Sequence, residues 1–271
     1  MKGRDQLLVS TQWLMEHLAA PDLVIIDSSW YLPGQNRDPR REYRECHIPG
    51  ALFFDIDEIA DENSPLPHML PSPVKFSSRM RAMGIGDGKR IIVYDSAGLP
   101  SASRCWWTFM VMGHDDVAVL DGGLPKWIAE GGPVEEGSIA PQPRHFTARR
   151  DAGKVCDLDM MRAIVEGRDS TGAQIVDARP ADRFAGAAPE PRPGLKSGRM
   201  PGAINVPYTA LLNNDGTLRS DEEIKAAFEK AGVDLSRPIV TSCGSGITAA
   251  TLALALAVIG HPNCAVYDGS W

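Results

Sequence analysis

The sequence predicts an α/β protein made of two tandem domains, each a mostly parallel sheet with helices on both faces. Two observations carry this. The chain repeats itself once, at an offset of about 150 residues. Within each copy, short apolar runs alternate with helical patterns. Such alternation points to parallel strands whose crossover helices cover both faces of the sheet.

The repeat can be followed element by element. Val24-Ile25-Ile26-Asp27 is a buried-strand run, matched by Gln174-Ile175-Val176-Asp177. His47-Ile48-Pro49-Gly50-Ala51 is echoed by Met200-Pro201-Gly202-Ala203, with Met200 in place of His47. Arg90 to Ser96 lines up with Arg237 to Cys243. Gly113-His114 and Val119 to Gly122 line up with Gly260-His261 and Val266 to Gly269. A repeat of this length is a duplicated domain rather than a solenoid unit. Gly131-Gly132-Pro133 opens a stretch carrying Pro141 and Pro143. The expected division is therefore a non-catalytic domain over 1–133, a linker over 134–156 and a catalytic domain over 157–271. Ser220-Asp221-Glu222-Glu223, before Ile224, Ala227 and Phe228, predicts a capping box leading an amphipathic helix.

Composition narrows the function classes. The 271 residues are 43% hydrophobic and 23% charged, ordinary for a globular protein. A net charge of -7 argues against a nucleic-acid surface. Five cysteines without a CxxC pair suggest neither a disulfide framework nor a zinc site, so no metal is expected, and a reducing compartment fits. Met1 to Leu8 has no apolar signal-peptide core, so the cytoplasm is the expected location. The apolar run Ala249 to Ile259 is too short to span a bilayer, so no membrane association is expected.

One cysteine stands apart. Ile239 to Thr241 is a β-branched run; Cys243 follows it, and a helical stretch rich in Ala and Leu begins after Thr248. That is a strand, a tight loop and a helix N-terminus. Gly244 and Gly246 let backbone N–H groups converge, and the helix start adds partial positive charge. Such a cradle stabilises a thiolate, a second sulfur or a bound anion. Cys105, Cys156 and Cys264 sit in or beside apolar stretches and read as small core hydrophobes. Cys46, between Glu45 and His47, reads as a surface loop residue. The first copy has Ser96 at the cysteine position, with Pro100 removing an N–H from the cradle. Its expected role is to supply one wall of a site between domains.

These segments, with Asp121-Gly122-Gly123 and Asp268-Gly269-Ser270-Trp271, resemble the tandem rhodanese-like sulfurtransferases over essentially the whole chain. The loop Cys243-Gly244-Ser245-Gly246-Ile247-Thr248 is similar to that of the family's mercaptopyruvate branch, with Ile247 for the usual valine. The thiosulfate branch carries basic residues where this chain has Gly244 and Ser245. The resemblance implies sulfur transfer from 3-mercaptopyruvate through a Cys243 persulfide, with no cofactor and with a thiol such as thioredoxin, or cyanide, as acceptor.

It also implies that Arg183 and Arg192 bind the substrate carboxylate, a planar anion suited to a guanidinium. It places Asp57 and His68 near the thiol, with Ser245 completing a polar relay and His68 exchanging a proton as the pyruvate enolate leaves. Gly244, Gly246, Ile247 and Thr248 would complete the binding loop. Three alternatives remain open. Thiosulfate as donor would use the same intermediate. A cysteine phosphatase would want an arginine within 243–248, where none occurs. A persulfide carrier would not need the carboxylate arginines.

Overall fold

The computed structural model describes residues 2–192 and 194–271. Among the described residues, ten strands form two five-stranded sheets. The first holds β1 (Leu8–Val9), β2 (Leu23–Asp27), β3 (Leu52–Phe53), β4 (Arg90–Tyr94) and β5 (Val117–Leu120). The second holds β6 (Val155–Cys156), β7 (Gln174–Asp177), β8 (Ile204–Asn205), β9 (Ile239–Ser242) and β10 (Cys264–Tyr267). The spatial orders are β1-β5-β4-β2-β3 and β6-β10-β9-β7-β8, so the duplication holds strand for strand. Every ladder is parallel.

Central strands are apolar on both faces because both faces are covered. In β4, Ile91 and Val93 enter one core while Ile92 and Tyr94 enter another. In β9, Ile239 and Val240 divide in the same way. The inner core is continuous through both domains, joining Phe54, Phe76 and Phe109 to Ile224, Phe228 and Leu254. At its centre the helix Pro100–Val111 packs on its counterpart, Ile247–Val258. The second of these has no charged residue and is buried almost all round, as its sequence requires.

The contact between halves is reciprocal. Leu70 N–H donates to Asp268 Oδ2 at 2.7 Å. The corresponding Leu218 N–H donates to Asp121 Oδ1, also at 2.7 Å.

The expected linker over 134–156 needs correction at its end, because Val155–Cys156 is an edge strand of the second sheet, paired with β10. Two residues are too short to show a strand period. Nor is the segment a free tether. Thr147, Ala148 and Arg149 donate their N–H groups to Asp87, Ser77 and Met112 of the first domain. The Ser220 capping box is present in full, with Ser220 Oγ accepting from Glu223 N–H and Glu223 accepting from Ser220 N–H.

Asp27 and Asp177 end equivalent strands but have different partners. Asp177 faces Arg179, whereas the first copy has Ser29 at that position. Burial pushes the Asp27 carboxyl up to about 6, against hydrogen bonds from Ser29 that pull it down. A carboxyl raised in the folded state favours folding below its ordinary range and loses that contribution as pH rises through about 6. Asp27→Asn is therefore expected to raise stability on the order of 2–3 kcal/mol at pH 8 and much less at pH 4.5. Urea midpoints at the two pH values check this; a gain independent of pH would contradict it.

Candidate active site

The Cys243 loop hangs between the end of β9 and the helix that starts at Ile247. That start lies inside the segment expected to be loop, since Gly246 turns the chain at φ +79° as the N-cap. Cys243 Sγ accepts from Gly246 N–H at 3.1 Å and from Ser245 N–H at 3.5 Å. The thiol is 2% exposed and lies on the wall of a cavity of about 250 Å³ between the domains. Gly244, Ser245, Ile247 and Thr248 line it too. From the first domain come Trp30, Tyr31, Ala97 and Ser101.

The two loop glycines also make room for arginines. A Cβ on Gly246 would sit 2.5 Å from Arg104 Nη1, and one on Gly244 2.9 Å from Arg183 Nη2. Arg104 comes from the first-domain helix Pro100–Val111 and is almost fully buried. It pairs with Asp268 at 2.8 Å and donates to the His68 and Gly246 carbonyls. It thereby ties both domains to the underside of the loop.

Arg183 and Arg192 both line the cavity. Arg192 Nη1 donates to Gly244 O at 3.2 Å. Burial draws the Arg192 guanidinium down from its ordinary range, opposed by the nearby Cys243 and Asp57. Arg183, on the short helix Ala181–Phe184, pairs with Glu190. Glu190 also holds Arg179 at 2.7 Å, and Arg179 holds Asp177 at 2.7 Å. Sequence reasoning does not single out Arg104 or Arg179. The available signals were a lone arginine among Ala102, Cys105, Trp106 and Trp107, and the Asp177-Ala178-Arg179 run where the first copy has Asp27-Ser28-Ser29.

Asp57 and His68 do meet, His68 Nε2 lying 3.0 Å from Asp57 Oδ1. Trp30 Nε1–H donates to the other carboxylate oxygen at 2.9 Å. The hydrogen bond to His68, opposed by partial burial, holds the Asp57 carboxyl below its usual range. The expected relay through Ser245 needs correction, however. His68 Nδ1 lies 3.3 Å from the Ser245 backbone carbonyl, not its hydroxyl. His68 adopts φ +59°, the left-handed conformation, and its ring is buried against the loop backbone. In this geometry the pair buttresses the loop.

The remaining cysteines face no such site. Burial pushes the Cys156 and Cys264 thiols up to about 12 and Cys105 well above its ordinary range. Cys46, half-buried where the helix Pro39–Glu45 ends, is raised by burial as well.

The equivalent loop of the first domain is filled from within. The Asp95 carboxylate accepts from Ala97 N–H at 2.8 Å, Ala102 N–H at 2.9 Å and Ser101 Oγ–H at 3.0 Å. It occupies the anion-binding end of its own helix. Ser96 is engaged with Ser29 at 2.9 Å.

A cysteine nucleophile in a backbone N–H cradle, on a doubled parallel α/β frame with guanidinium groups opposite, defines a covalent group-transfer enzyme of anionic substrates. Comparison with known proteins gives the family: the Rhodanese-like domain matches residues 10–130 and 161–271, and the chain belongs to that family. Human 3-mercaptopyruvate sulfurtransferase is 43% identical over 270 residues, covering 97% of this chain and 90% of the relative. Thiosulfate sulfurtransferase from Bos taurus is 42% identical over 271 residues, with the same coverages. Among solved structures, SseA from Escherichia coli, described among the 3-mercaptopyruvate sulfotransferases, superposes with a TM-score of 0.89. It is 42% identical and covers 98% of this chain and 99% of its own.

Proposed function

We propose that this protein is a sulfurtransferase that moves sulfur from 3-mercaptopyruvate through a persulfide on Cys243. Relatives with both donor names lie at nearly equal identity, so the overall match does not choose between them. The choice rests on one observation: the loop presents Gly244 and Ser245, without a side-chain cation, beside a guanidinium at Arg192. That arrangement suits a single carboxylate better than a doubly charged thiosulfate.

The Cys243 thiolate attacks the donor sulfur. The C–S bond breaks, its electron pair passes to carbon as the enolate of pyruvate, and protonation of that carbon releases pyruvate. The outer sulfur stays on Cys243 as a persulfide, stabilised by the Ser245 and Gly246 N–H groups. An acceptor thiolate, such as that of thioredoxin, then attacks the outer sulfur and restores the Cys243 thiolate; cyanide does so to give thiocyanate. Arg192 and Arg183 orient the carboxylate. Asp57, His68 and Arg104 keep the loop in register from the first domain. The division of labour is a second domain carrying the nucleophile and a first domain supporting it. Unpaired cysteines accord with work in a reducing compartment such as the cytoplasm.

Two measurements test this. Steady-state rates with mercaptopyruvate and thiosulfate, cyanide as acceptor in both, are expected to give the higher kcat/KM for mercaptopyruvate. Intact-mass analysis after donor treatment should find one added sulfur, on the Cys243 peptide. A higher kcat/KM for thiosulfate would move the protein to the other branch. Sulfur carried only on another cysteine would remove the mechanism.

A further inference from the structure

Arg104 reaches the catalytic loop with its guanidinium nitrogens and sits over the ring of Trp107. We propose that Trp107 is a positioning residue for that loop: its indole fixes the Arg104 guanidinium, shields it from a second cavity, and so keeps the cradle aimed at Cys243. The inference rests on the sulfurtransferase reading above.

Arg104 Nη2 donates to the His68 carbonyl and to Asp268, and Nη1 reaches the Gly246 carbonyl at 3.4 Å, the longest of the three contacts. The N–H of that same Gly246 is the closer donor to Cys243 Sγ, at 3.1 Å. A small shift of Arg104 is therefore passed to the sulfur through one residue. Trp107 opposes such a shift. The Arg104 Cζ lies 4.5 Å from the ring centroid, and the two residues are only 2% and 3% exposed. A cation over an indole face is attracted by the ring quadrupole, most strongly where water is excluded. Trp107 is itself pinned, its Nε1–H donating at 3.2 Å to the carbonyl of Lys154, just before the edge strand β6. It also lines a second cavity, of about 1060 Å³, whose far wall includes Ala253, Ala257 and Cys264 of the second domain. Arg104 is not on the wall of that cavity. With the indole in place, water there does not compete for the guanidinium N–H groups.

Trp107→Leu removes the ring and opens Arg104 to the cavity. With mercaptopyruvate, kcat should fall about tenfold or more while KM stays within about twofold, because the donor carboxylate is held elsewhere and only the aim of the cradle is lost. Trp107→Phe keeps a ring face but loses the bond to Lys154. It should show a lower denaturant midpoint yet retain at least about half of kcat. Trp106→Leu is the control. Trp106 is on the same helix, is 4% exposed and lines the same cavity, but Arg104 lies over its neighbour. Its loss should cost stability and leave kcat within about twofold. Trp107→Met, nearer in bulk, takes the place of Trp107→Leu if that variant does not fold. A kcat near wild type without the ring overturns the proposal. So does Trp107→Phe falling as far as Trp107→Leu, or Trp106→Leu losing as much, since either would make the effect one of general packing. Failure of the donor assignment would appear separately, as wild-type protein without turnover of mercaptopyruvate. The same variants are then compared with thiosulfate, whose sulfur passes through the same cradle.

Discussion

Cys243→Ser is expected to leave a folded protein that transfers no sulfur. The hydroxyl is close in size to the thiol and can accept the same N–H groups from Ser245 and Gly246, so the loop keeps its shape. Oxygen cannot hold a sulfane sulfur, and no other cysteine reaches the cavity wall. Loss of a nucleophile that acts as a unit with its cradle costs at least about 10⁴-fold in turnover. The check is kcat with mercaptopyruvate, alongside circular dichroism and a denaturant midpoint near wild type. Turnover above one part in about a thousand in a folded variant would show that the covalent route is wrong.

Gly246→Ala should be nearly as damaging, for a different reason. The residue sits at φ +79°, where an L side chain is strained, and its Cβ would press on Arg104 Nη1 at 2.5 Å. Arg104 cannot yield cheaply, being buried and held by Asp268 and the His68 carbonyl. The loop must move instead, and the Gly246 N–H, the closer donor to Sγ, loses its aim. Loss of one such donor typically costs about 10²-fold in kcat, and the strain adds about 1–2 kcal/mol of destabilisation. Gly50→Ala is the control. It has the same φ of +79° but open space around it, so it should lose stability alone and keep kcat. Near-normal kcat in Gly246→Ala would mean that the cradle is not held as described.

Much of this architecture was legible before any coordinates. The paired runs around Ile25 and Ile175, and around Ile92 and Val240, are long and apolar enough to declare buried parallel strands, and they do form matching sheets. The Ser220 cap declares itself because its chemistry is local. The cysteine loop does so because glycines, a strand end and a helix start are all adjacent in sequence. What stayed hidden depends on distant partners. Val155–Cys156 is a strand only because β10 lies beside it. Arg104 and Arg179 gain their meaning from Asp268 and Glu190, 164 and 11 residues away. That His68 meets a carbonyl rather than a hydroxyl depends on a contact 177 residues away, which residue type does not specify.

The reciprocal bonds of Leu70 to Asp268 and Leu218 to Asp121 have a consequence for what the molecule is. Equivalent groups meeting across equivalent helices are the mark of an isologous dimer. This chain is such a dimer in a single polypeptide, with its two subunits made permanently unequal. One loop keeps its N–H groups for Cys243 beside the interdomain cavity, while the N–H groups of the equivalent loop are taken by Asp95. The working half borrows Trp30, His68 and Arg104 from its twin, so isolating it would strip the site of its supports. One active centre for two domains is thus a stoichiometry built into the interface, and catalysis reports directly on whether the twins are docked.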